Sequence, residues 1–253
     1  MGSTYRLARS AVAKEDFVPA QITADYVAAL AGNPNTGKST VFNALTGLNQ
    51  HTGNWPGKTV SQARGFYQHQ GKNIVLVDLP GTYSLLANSL EEEVARDFIC
   101  FAKPEVTVVI VDATCLERNL NLVLQVLEIT GKVVVCLNLI DEAERKGLCI
   151  DVEQLTDELG VPVVPTAARS GRGMALLKDW INIISADESA AQPKPVQYPD
   201  PVEEAIGQLE THLRRIHTNG LSKRWIALRL LEGDNGVIEA IRNYGLAGGN
   251  LEG

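Results

Sequence analysis

A glycine-rich segment near the start of the chain has the residue types and spacing that hold phosphate. Residues 32–39 read GNPNTGKS and match the pattern G-x-x-x-x-G-K-[S/T] in full. The glycines allow backbone N–H groups to close around phosphate oxygens, and the helix that follows adds a partial positive charge. Lys38 is expected to reach the β- and γ-phosphates of a nucleotide, and the Ser39 hydroxyl to ligate Mg²⁺. The segment therefore predicts a site for a nucleoside triphosphate.

Two strand ends farther along the chain supply further polar groups. Asp78 and Gly81 form an Asp-x-x-Gly motif, in which the carboxylate suits Mg²⁺ binding through water and the glycine N–H suits the γ-phosphate. Asn138 and Asp141 form an Asn-x-x-Asp motif after residues 133–137. The Asp141 carboxylate could accept hydrogen bonds from the ring N–H and exocyclic NH₂ of guanine, a donor pair that adenine lacks. A strand-end asparagine and a helix-capping aspartate are the alternative roles for this pair.

The order of these motifs along the chain is informative in itself. Thr59 lies in a loop between the phosphate loop and the Asp-x-x-Gly motif. Thr166, Ala167 and Ala168 follow residues 161–165, where a backbone N–H could meet guanine O6. The series resembles the five-motif signature of translation-factor-class GTPases. This resemblance implies a Ras-like P-loop GTPase domain of the α/β class, with a doubly wound, mostly parallel sheet, in which Thr59 ligates Mg²⁺ when GTP is bound.

The elements that must position these motifs follow from the apolar periodicity. Apolar strands alternate with helical patterns, which is typical of a parallel sheet covered by helices on both faces. The predicted strands cover residues 26–31, 63–69, 73–78, 106–112, 133–138 and 161–165. The predicted helices cover residues 40–45, 91–101, 116–129, 151–159 and 174–184. These elements together make up a GTPase domain over residues 26–185.

A proline-rich stretch separates this domain from a second, all-helical unit. Residues 186–200 form the predicted linker. Asp200 is expected to cap the next helix, with Pro201 at the first helical position and Glu203 at the capping-box position. The helical domain is predicted over residues 201–246, and its later helices over 222–231 and 235–244. Residues 1–25 are expected to be a tag or flexible extension, and residues 247–253 a tail.

Composition excludes several classes of protein. The 253 residues are 45% hydrophobic and 21% charged, which excludes a disordered chain, a collagen and a small disulfide scaffold. The formal charge of −7 argues against broad binding to nucleic acid or anionic lipid. The apolar runs 108–111 and 133–137 have the length of strands and are far shorter than the roughly 20 residues of a membrane-spanning helix. The four widely spaced cysteines are expected to be small core residues in a reducing compartment, with no metal site.

Longer stretches around the motifs resemble the FeoB family of bacterial ferrous iron transporters. The resemblance is carried by residues 32–47, 53–60, 78–85 and 111–120. The helical unit is similar to the small helical domain of that family. The lysine that most GTPases carry inside Asn-x-x-Asp is absent here, a departure that FeoB proteins share. The resemblance implies the N-terminal cytosolic part of a longer chain, a GTP-binding and hydrolysing regulatory domain that couples nucleotide state to Fe(II) uptake.

The resemblance also bears on mechanism. Ras-like enzymes place a water-orienting glutamine where this chain has Thr82, whose short side chain is not expected to be the main catalyst. Instead, the resemblance implies that Asn35 helps to coordinate K⁺ beside the phosphates, with backbone carbonyls of residues 51–57 capping the ion. A loop-stabilising amide is the alternative role for Asn35. Lys58 stands where a smaller residue is expected, which affects the details of this switch loop.

The candidate site residues fall into three groups. The catalytic candidates, taken by position, are Asn35, Lys38, Thr59, Gly81 and Thr82. The candidates for Mg²⁺ are Ser39, Thr59 and Asp78, and the candidate for K⁺ is Asn35. The candidates for contact with GTP or GDP are Gly32, Asn33, Pro34, Asn35, Thr36, Gly37, Lys38, Ser39, Thr40, Trp55, Gly57, Thr59, Asp78, Gly81, Asn138, Leu139, Asp141, Thr166, Ala167 and Ala168.

Some readings stay open at the level of sequence. Trp55, an aromatic residue in a polar loop, either marks an exposed contact surface or packs onto the domain.

The candidate partners are guanine nucleotide, the membrane domain of the same longer chain, small cytosolic proteins of the iron transport system and a second copy of this chain. The location implied is the cytoplasmic face of the bacterial inner membrane. The alternative functions are a ribosome- or tRNA-associated GTPase, which the acidic charge disfavours, and a GTP switch without hydrolysis.

Overall fold

A seven-stranded sheet positions every motif of the first domain. This computed structural model describes residues 17–18, 23–48, 50–56, 58–86, 88–187, 191–214, 218 and 220–240. The strands are β1 (Tyr26–Gly32), β2 (Gln50–Asn54), β3 (Ser61–His69), β4 (Lys72–Asp78), β5 (Val106–Asp112), β6 (Val133–Asn138) and β7 (Val163–Pro165). They lie in the order β2-β3-β4-β1-β5-β6-β7. The pairs β1–β4, β1–β5, β5–β6 and β6–β7 are parallel, whereas β2–β3 and β3–β4 are antiparallel. The predicted α/β class with a mostly parallel sheet is confirmed.

Helices cover the sheet, and three more follow it. The helices of the first domain are α1 (Lys38–Thr46), α2 (Leu90–Asp97), α3 (Leu116–Ile129), α4 (Ile140–Arg145), α5 (Val152–Leu159) and α6 (Met174–Ala186). The second domain contributes α7 (Asp200–Leu213), α8 (Lys223–Leu231) and α9 (Asn235–Ala240). All six residues of β6 and six of the seven in β5 are buried, which explains their unbroken apolar character. Within the described residues, no helix combines the length and apolar character needed to cross a bilayer.

Three elements differ from the prediction. β2 was not expected, because Gln-His-Thr-Gly-Asn has none of the apolar alternation of a half-buried strand, and it forms here by pairing with β3 at the sheet edge. The helix expected over 91–101 is α-helical only to Asp97 and continues as a π-helix, Phe98–Ala102. α4 was also missed, since six residues carry too little periodicity to be recognised.

The expectation of core cysteines is only half correct. Cys100 and Cys136 are buried, but Cys115 and Cys149 are exposed, and all four thiols are free. Burial raises the pKa of the Cys136 thiol to about 12, which leaves that group uncharged and unreactive at neutral pH.

Part of the N-terminal segment packs onto the domain. Phe17 is 1% exposed and belongs to the core, and Val18 packs against the core. The Asp25 N–H donates to the Asn73 carbonyl oxygen at 2.9 Å, and its carboxylate accepts from Lys72. The prediction of a tag or flexible extension over residues 1–25 does not hold for these positions, because Phe17 packs on an apolar surface that only the fold assembles. Residues 1–16 and 19–22, like the tail 247–253, lie outside the described residues.

The described part of the linker, residues 191–199, is hydrogen-bonded to the first domain. Gln192 and Lys194 donate backbone hydrogen bonds to Gly160 and Leu159 at 2.9 and 3.2 Å. Asp200 is not the helix cap: α7 starts at Asp200, and the preceding Pro199 occupies the cap position without a side-chain hydrogen bond. Glu203 accepts instead from the Tyr198 N–H at 2.9 Å. The cap position thus lies one residue closer to the N-terminus than predicted.

A buried group of polar side chains holds the helical unit against α3. Glu128 on α3 and Arg229 on α8 have side chains that are 7% and 6% exposed, with 3.6 Å between Oε2 and Nη2. The Tyr198 hydroxyl also hydrogen-bonds Glu128. Burial and the neighbouring carboxylate raise the pKa of Tyr198 far above its usual range. The hydroxyl therefore stays protonated and donates a hydrogen bond to Glu128.

A second charged pair joins α7 to α8, and it makes a stability prediction. Arg224 donates to both carboxylate oxygens of Glu203, at 2.8 and 2.6 Å. These hydrogen bonds, together with the Tyr198 N–H, lower the pKa of Glu203 to about 2. A depressed carboxyl pKa stabilises the fold above the unfolded value, and that stability is lost as the pH falls through the folded value.

We therefore expect Glu203→Gln to be less stable than the parent at pH 7, and the difference to disappear as the pH falls from 4.5 towards 2. Urea unfolding followed by circular dichroism at several pH values measures this convergence. Glu204→Gln is the matched control, because Glu204 is exposed on the same helix and should lose little stability at any pH. A constant difference between Glu203→Gln and the parent across this range would contradict the assignment.

Candidate functional site

The loop between β1 and α1 presents a row of unpaired backbone N–H groups. The N–H groups of residues 35–40 donate no hydrogen bond to any other residue that the structure describes. Asn35 and Gly37 both adopt positive φ, at 68° and 81°, and α1 begins directly after Gly37. Successive N–H groups at such a turn and helix start form a concavity that attracts anions. The loop therefore has the backbone chemistry that phosphate binding requires.

Gly37 is also the point where the phosphate loop meets the Asn-x-x-Asp motif. A Cβ atom on Gly37 would lie 2.5 Å from Nδ2 of Asn138, so no other residue fits without displacing the amide. That amide is 1% exposed and donates to the Thr36 carbonyl oxygen at 3.0 Å. Asn138 Oδ1 accepts from the Ala168 N–H at 3.2 Å and from the Thr166 hydroxyl at 3.3 Å. One buried side chain thus joins three of the predicted motifs.

The rest of the phosphate loop packs tightly against its surroundings. Thr36 is buried, and its hydroxyl donates to the Asn33 carbonyl oxygen at 2.9 Å. Asn33 is 3% exposed, and its Oδ1 has no partner among the described residues. A Cβ atom on Gly32 would lie 2.7 Å from the Ile110 carbonyl oxygen of β5. In contrast, Pro34, Asn35, Ser39 and Thr40 are exposed.

Lys38 and Asp78 form an ion pair beneath this loop. The ammonium contacts Asp78 Oδ1 and donates to the Leu79 carbonyl oxygen at 2.7 Å. Their side chains are 12% and 18% exposed. Burial raises the pKa of the Asp78 carboxyl, and the Lys38 ammonium beside it opposes that change. The two candidate residues are therefore brought together, and each is partly desolvated by the other.

The Asp-x-x-Gly loop lies against the phosphate loop. A Cβ atom on Gly81 would be 3.6 Å from Pro34, and the Thr82 N–H donates to the Gly32 carbonyl oxygen at 3.3 Å. The Thr82 hydroxyl donates to the Ser84 carbonyl oxygen at 2.7 Å, and Thr82 is 4% exposed. Its hydroxyl is therefore used within its own loop.

The predicted guanine-reading residues adopt a strained loop. Leu139, between Asn138 and Asp141, has φ 61°, which is uncommon for a branched residue and is concentrated at functional sites. Asp141 is half-buried in the first turn of α4, and its carboxylate has no hydrogen-bond partner among the described residues. Its oxygens are therefore available to a ligand.

The N–H groups of the Thr-Ala-Ala motif already have acceptors in this structure. Thr166 donates to the Leu137 carbonyl oxygen at 2.8 Å, and Ala167 donates to the Arg172 carbonyl oxygen at 3.1 Å. Ala168 donates to Asn138 Oδ1 at 3.2 Å, the longest of the three contacts. A contact with guanine O6 therefore requires one of these groups to exchange its acceptor or share its proton, and the longest bond is the easiest to give up.

The switch loop is where the structure departs most from the sequence-based picture. Thr59 is exposed and makes no hydrogen bond to Ser39, Asp78 or any other described residue. Trp55 is 4% exposed, so its interpretation as an exposed contact surface is wrong, and the packed alternative is correct. Residues 51–54 belong to β2, whose backbone pairs with β3. Gly57 lies outside the described residues.

Two contacts of this loop were not predicted. Phe17 and Phe98 flank the Trp55 ring at centroid distances of 5.1 and 5.5 Å. Lys58 Nζ lies 3.2 Å from Glu93 Oε1 of α2. The unexpected size of Lys58 was the available sequence signal for the second contact, whereas nothing in the sequence connected Phe17 to Trp55.

The family comparisons cover both domains of the chain. Residues 26–181 match the family model described as ferrous iron transport protein B, and residues 198–250 match the FeoB cytosolic helical domain. The Fe(2+) transporter FeoB of Salmonella choleraesuis (strain SC-B67) is 40% identical over 209 residues, which is 81% of this chain and 27% of the relative. The chain thus spans about a quarter of the length of that curated relative.

Solved structures of similar chains cover both domains. The cytosolic domain of the T. maritima FeoB iron transporter in a GDP form is 36% identical, with a TM-score of 0.80, covering 86% of this chain and 85% of that one. Its GMPPNP form is 35% identical, with a TM-score of 0.79, covering 90% and 88%. With a family model over most of the chain and the same two-domain fold in these relatives, the chain belongs to the FeoB family of ferrous iron transport proteins.

Proposed function

We propose that this chain binds and hydrolyses GTP, and that it is the regulatory part of a bacterial ferrous iron transporter in which nucleotide state is coupled to Fe(II) uptake. The observation that carries the proposal is the Asn138 cross-link. It places the free N–H groups of residues 35–40 and the unpaired Asp141 carboxylate on the two loops that one buried amide joins. The phosphates of a guanine nucleotide suit the N–H groups of the first loop, and the hydrogen-bond donors of its base suit the carboxylate on the second. The GDP and GMPPNP forms of the T. maritima relative support the same ligand class.

Nucleotide binding changes the partners of Lys38. Its ammonium contacts Asp78 and the Leu79 carbonyl oxygen in the present arrangement. Phosphate oxygens offer a stronger acceptor, so we expect Lys38 to turn towards the β- and γ-phosphates and to leave the Asp78 carboxylate free for a cation. The backbone N–H groups of the loop stabilise the charge that develops on the phosphate oxygens during hydrolysis.

The residues near Lys38 fit a magnesium ion. Ser39 and Asp78 provide the hard oxygen donors that Mg²⁺ prefers, at the start of α1 and the end of β4. Thr59 would complete the set once the switch loop is ordered by the γ-phosphate. Bound Mg²⁺ supplies positive charge beside the β- and γ-phosphates. We assign Ser39, Asp78 and Thr59 to this cation.

The exposed Asn35 side chain is the proposed ligand for K⁺. Asn35 has a positive φ and lies at the outer edge of the phosphate loop. Its amide oxygen is an uncharged ligand atom of the kind that binds alkali cations. Bound K⁺ supplies charge near the phosphates, which the buried and internally bonded Thr82 hydroxyl cannot do. Residues 51–54 pair with β3 at the edge of the sheet, so the carbonyl groups on the paired side of β2 become available to such an ion only if that pairing opens.

The remaining assignments follow from the family and the share of the relative that this chain spans. We propose that the main partner is the membrane domain of a longer transporter of this family, and that this chain works at the cytoplasmic face of the inner membrane. Small cytosolic proteins of the iron transport system and a second copy of this chain are further candidate partners. Nothing in the fold or the relatives supports a ribosome- or tRNA-associated role.

Base specificity gives the first test. Asp141→Asn should bind GTP at least about 100-fold more weakly, because the charged acceptor of two guanine donors becomes an amide. The same variant should gain affinity for xanthosine triphosphate, whose C2 oxygen accepts from an amide NH₂. Competition titrations with a fluorescent guanine nucleotide measure both affinities. Glu142→Gln is the control, since Glu142 is the neighbouring acidic residue on α4 and its side chain is 44% exposed. Equal behaviour of the two variants would exclude Asp141 as the base reader.

Cation dependence gives the second test. Phosphate release from GTP at constant ionic strength should be at least about tenfold faster in K⁺ than in Na⁺, a smaller effect than a fully preorganised donor provides. Asn35→Ala should lose this difference while retaining GDP binding. Gln68→Ala, an exposed change on β3, should keep it. Equal rates in the two salts, or K⁺ activation that survives in Asn35→Ala, would overturn the K⁺ assignment, and turnover near zero with tight GTP binding would favour the non-hydrolysing switch.

A further inference from the structure

Three aromatic rings from distant parts of the chain meet beside the switch loop. The ring centroids of Phe17 and Trp55 are 5.1 Å apart, those of Phe17 and Phe98 are 4.9 Å apart, and those of Trp55 and Phe98 are 5.5 Å apart. The pairs that involve Phe98 are edge-on, a favourable geometry for aromatic rings. The three residues are 1%, 4% and 0% exposed. We call Phe17, Trp55 and Phe98 the aromatic cluster.

The aromatic cluster connects the N-terminal segment to the switch loop and to the end of α2. Trp55 starts the connection between β2 and β3 that carries Thr59, and its N–H donates to the Val60 carbonyl oxygen at 2.9 Å. Phe98 directly follows α2, the helix after the Asp-x-x-Gly loop. Phe17 lies outside the matched family region, which begins at residue 26. An N-terminal residue that the family model does not include thus contacts the switch loop and the α2 segment.

A second contact holds the same loop against the same helix. Lys58 Nζ lies 3.2 Å from Glu93 Oε1, with side chains that are 17% and 26% exposed. Together with the aromatic cluster, this ion pair fixes both sides of the turn that precedes Thr59. In this arrangement Thr59 is exposed and bonds to none of the described candidate ligands of Mg²⁺.

The packing of Trp55 also carries an unmet polar group. Its Nε1 is buried and has no hydrogen-bond partner among the described residues. A buried donor without an acceptor destabilises the arrangement in which it occurs, and movement of the loop would restore an acceptor from water. The ring contacts therefore stabilise the packed position of Trp55, whereas its unpartnered N–H destabilises it. Removal of one ring should shift the equilibrium measurably towards a displaced switch loop.

We propose that Phe17 is a positioning residue that holds the switch loop in the arrangement seen here and thereby disfavours GTP relative to GDP. The proposal rests on the proposed function, because it assumes that GTP, unlike GDP, requires Thr59 to move to Mg²⁺. Under this assumption the Phe17–Trp55 contact must break when GTP binds and can persist when GDP binds. A ligand can shift a conformational equilibrium only by its differential affinity for the two states, so the cluster lowers the affinity for GTP alone.

The test compares two nucleotides on the full chain. Phe17→Ala should bind GMPPNP with Mg²⁺ about two- to twelvefold more tightly than the parent, the range expected from loss of one aromatic pair. Its affinity for GDP should be unchanged. Val18→Ala is the matched control, because Val18 is the neighbouring residue and packs on the core without a ring contact. Lys58→Met removes the second contact without touching the N-terminal segment. It should also raise the affinity for GMPPNP relative to that for GDP, and this measurement stands even if Phe17→Ala fails to fold.

A spectroscopic measurement follows the loop directly. In a Trp180→Phe, Trp225→Phe background, the remaining Trp55 should show emission typical of a buried indole, and GMPPNP with Mg²⁺ should shift it to longer wavelength. GDP should not shift it. An unshifted spectrum with GMPPNP, or equal changes in GDP and GMPPNP affinity in Phe17→Ala, would overturn the positioning role and leave Phe17 as a stabilising residue only. Failure of the parent chain to bind GDP would instead refute the proposed function itself.

Discussion

The close approach of the Asn138 amide to the phosphate loop is the constraint on which the rest of the site depends. Its Nδ2 hydrogen-bonds the Thr36 carbonyl oxygen, and the space it needs is available only because residue 37 has no side chain. The same amide accepts the Ala168 N–H through its oxygen. Loops that follow β1, β6 and β7 are thus fixed relative to one another by one buried group. A small error in their spacing would separate phosphate binding from base recognition, which explains why a buried amide with partners on both its nitrogen and its oxygen occupies this position.

Charge compensation explains how a loop built for anions stays stable in the present arrangement. A buried ammonium without a partner would be costly, and Lys38 avoids that cost by pairing with Asp78. Asp78 is itself a candidate cation ligand. Each residue neutralises the charge of the other, and when the pair opens Lys38 becomes available to phosphate and Asp78 to a cation. The pairing therefore links the phosphate side of the site to its metal side through a single exchange of partners.

The helical domain is joined to the first domain by polar groups as well as by packing. Glu128 accepts from Tyr198 and faces Arg229, and all three would be costly to bury alone. The Leu85 N–H donates to Gln125 Oε1, one turn before Glu128 on α3. The loop after Asp-x-x-Gly and the helical domain are therefore held by the same helix. A movement of α3 would therefore change the contacts with both the loop and the helical domain, since paired buried charges tolerate little change in distance.

The sequence by itself determined the class of fold and the identity of the phosphate loop. Both are local or periodic signals: unbroken apolar strands for β5 and β6, and a contiguous motif for residues 32–39. Tertiary structure alone decided the double role of Asn138, the pairing of Lys38 with Asp78, the formation of β2 and the docking of Phe17. Three of these, the role of Asn138, the Lys38–Asp78 pair and the docking of Phe17, join residues far apart in the chain. The fourth, β2, is a polar pentapeptide that becomes a strand only by pairing with β3. Local patterns report what a segment can bury or bind, whereas the partner that meets it depends on loops and packing that one sequence does not encode locally.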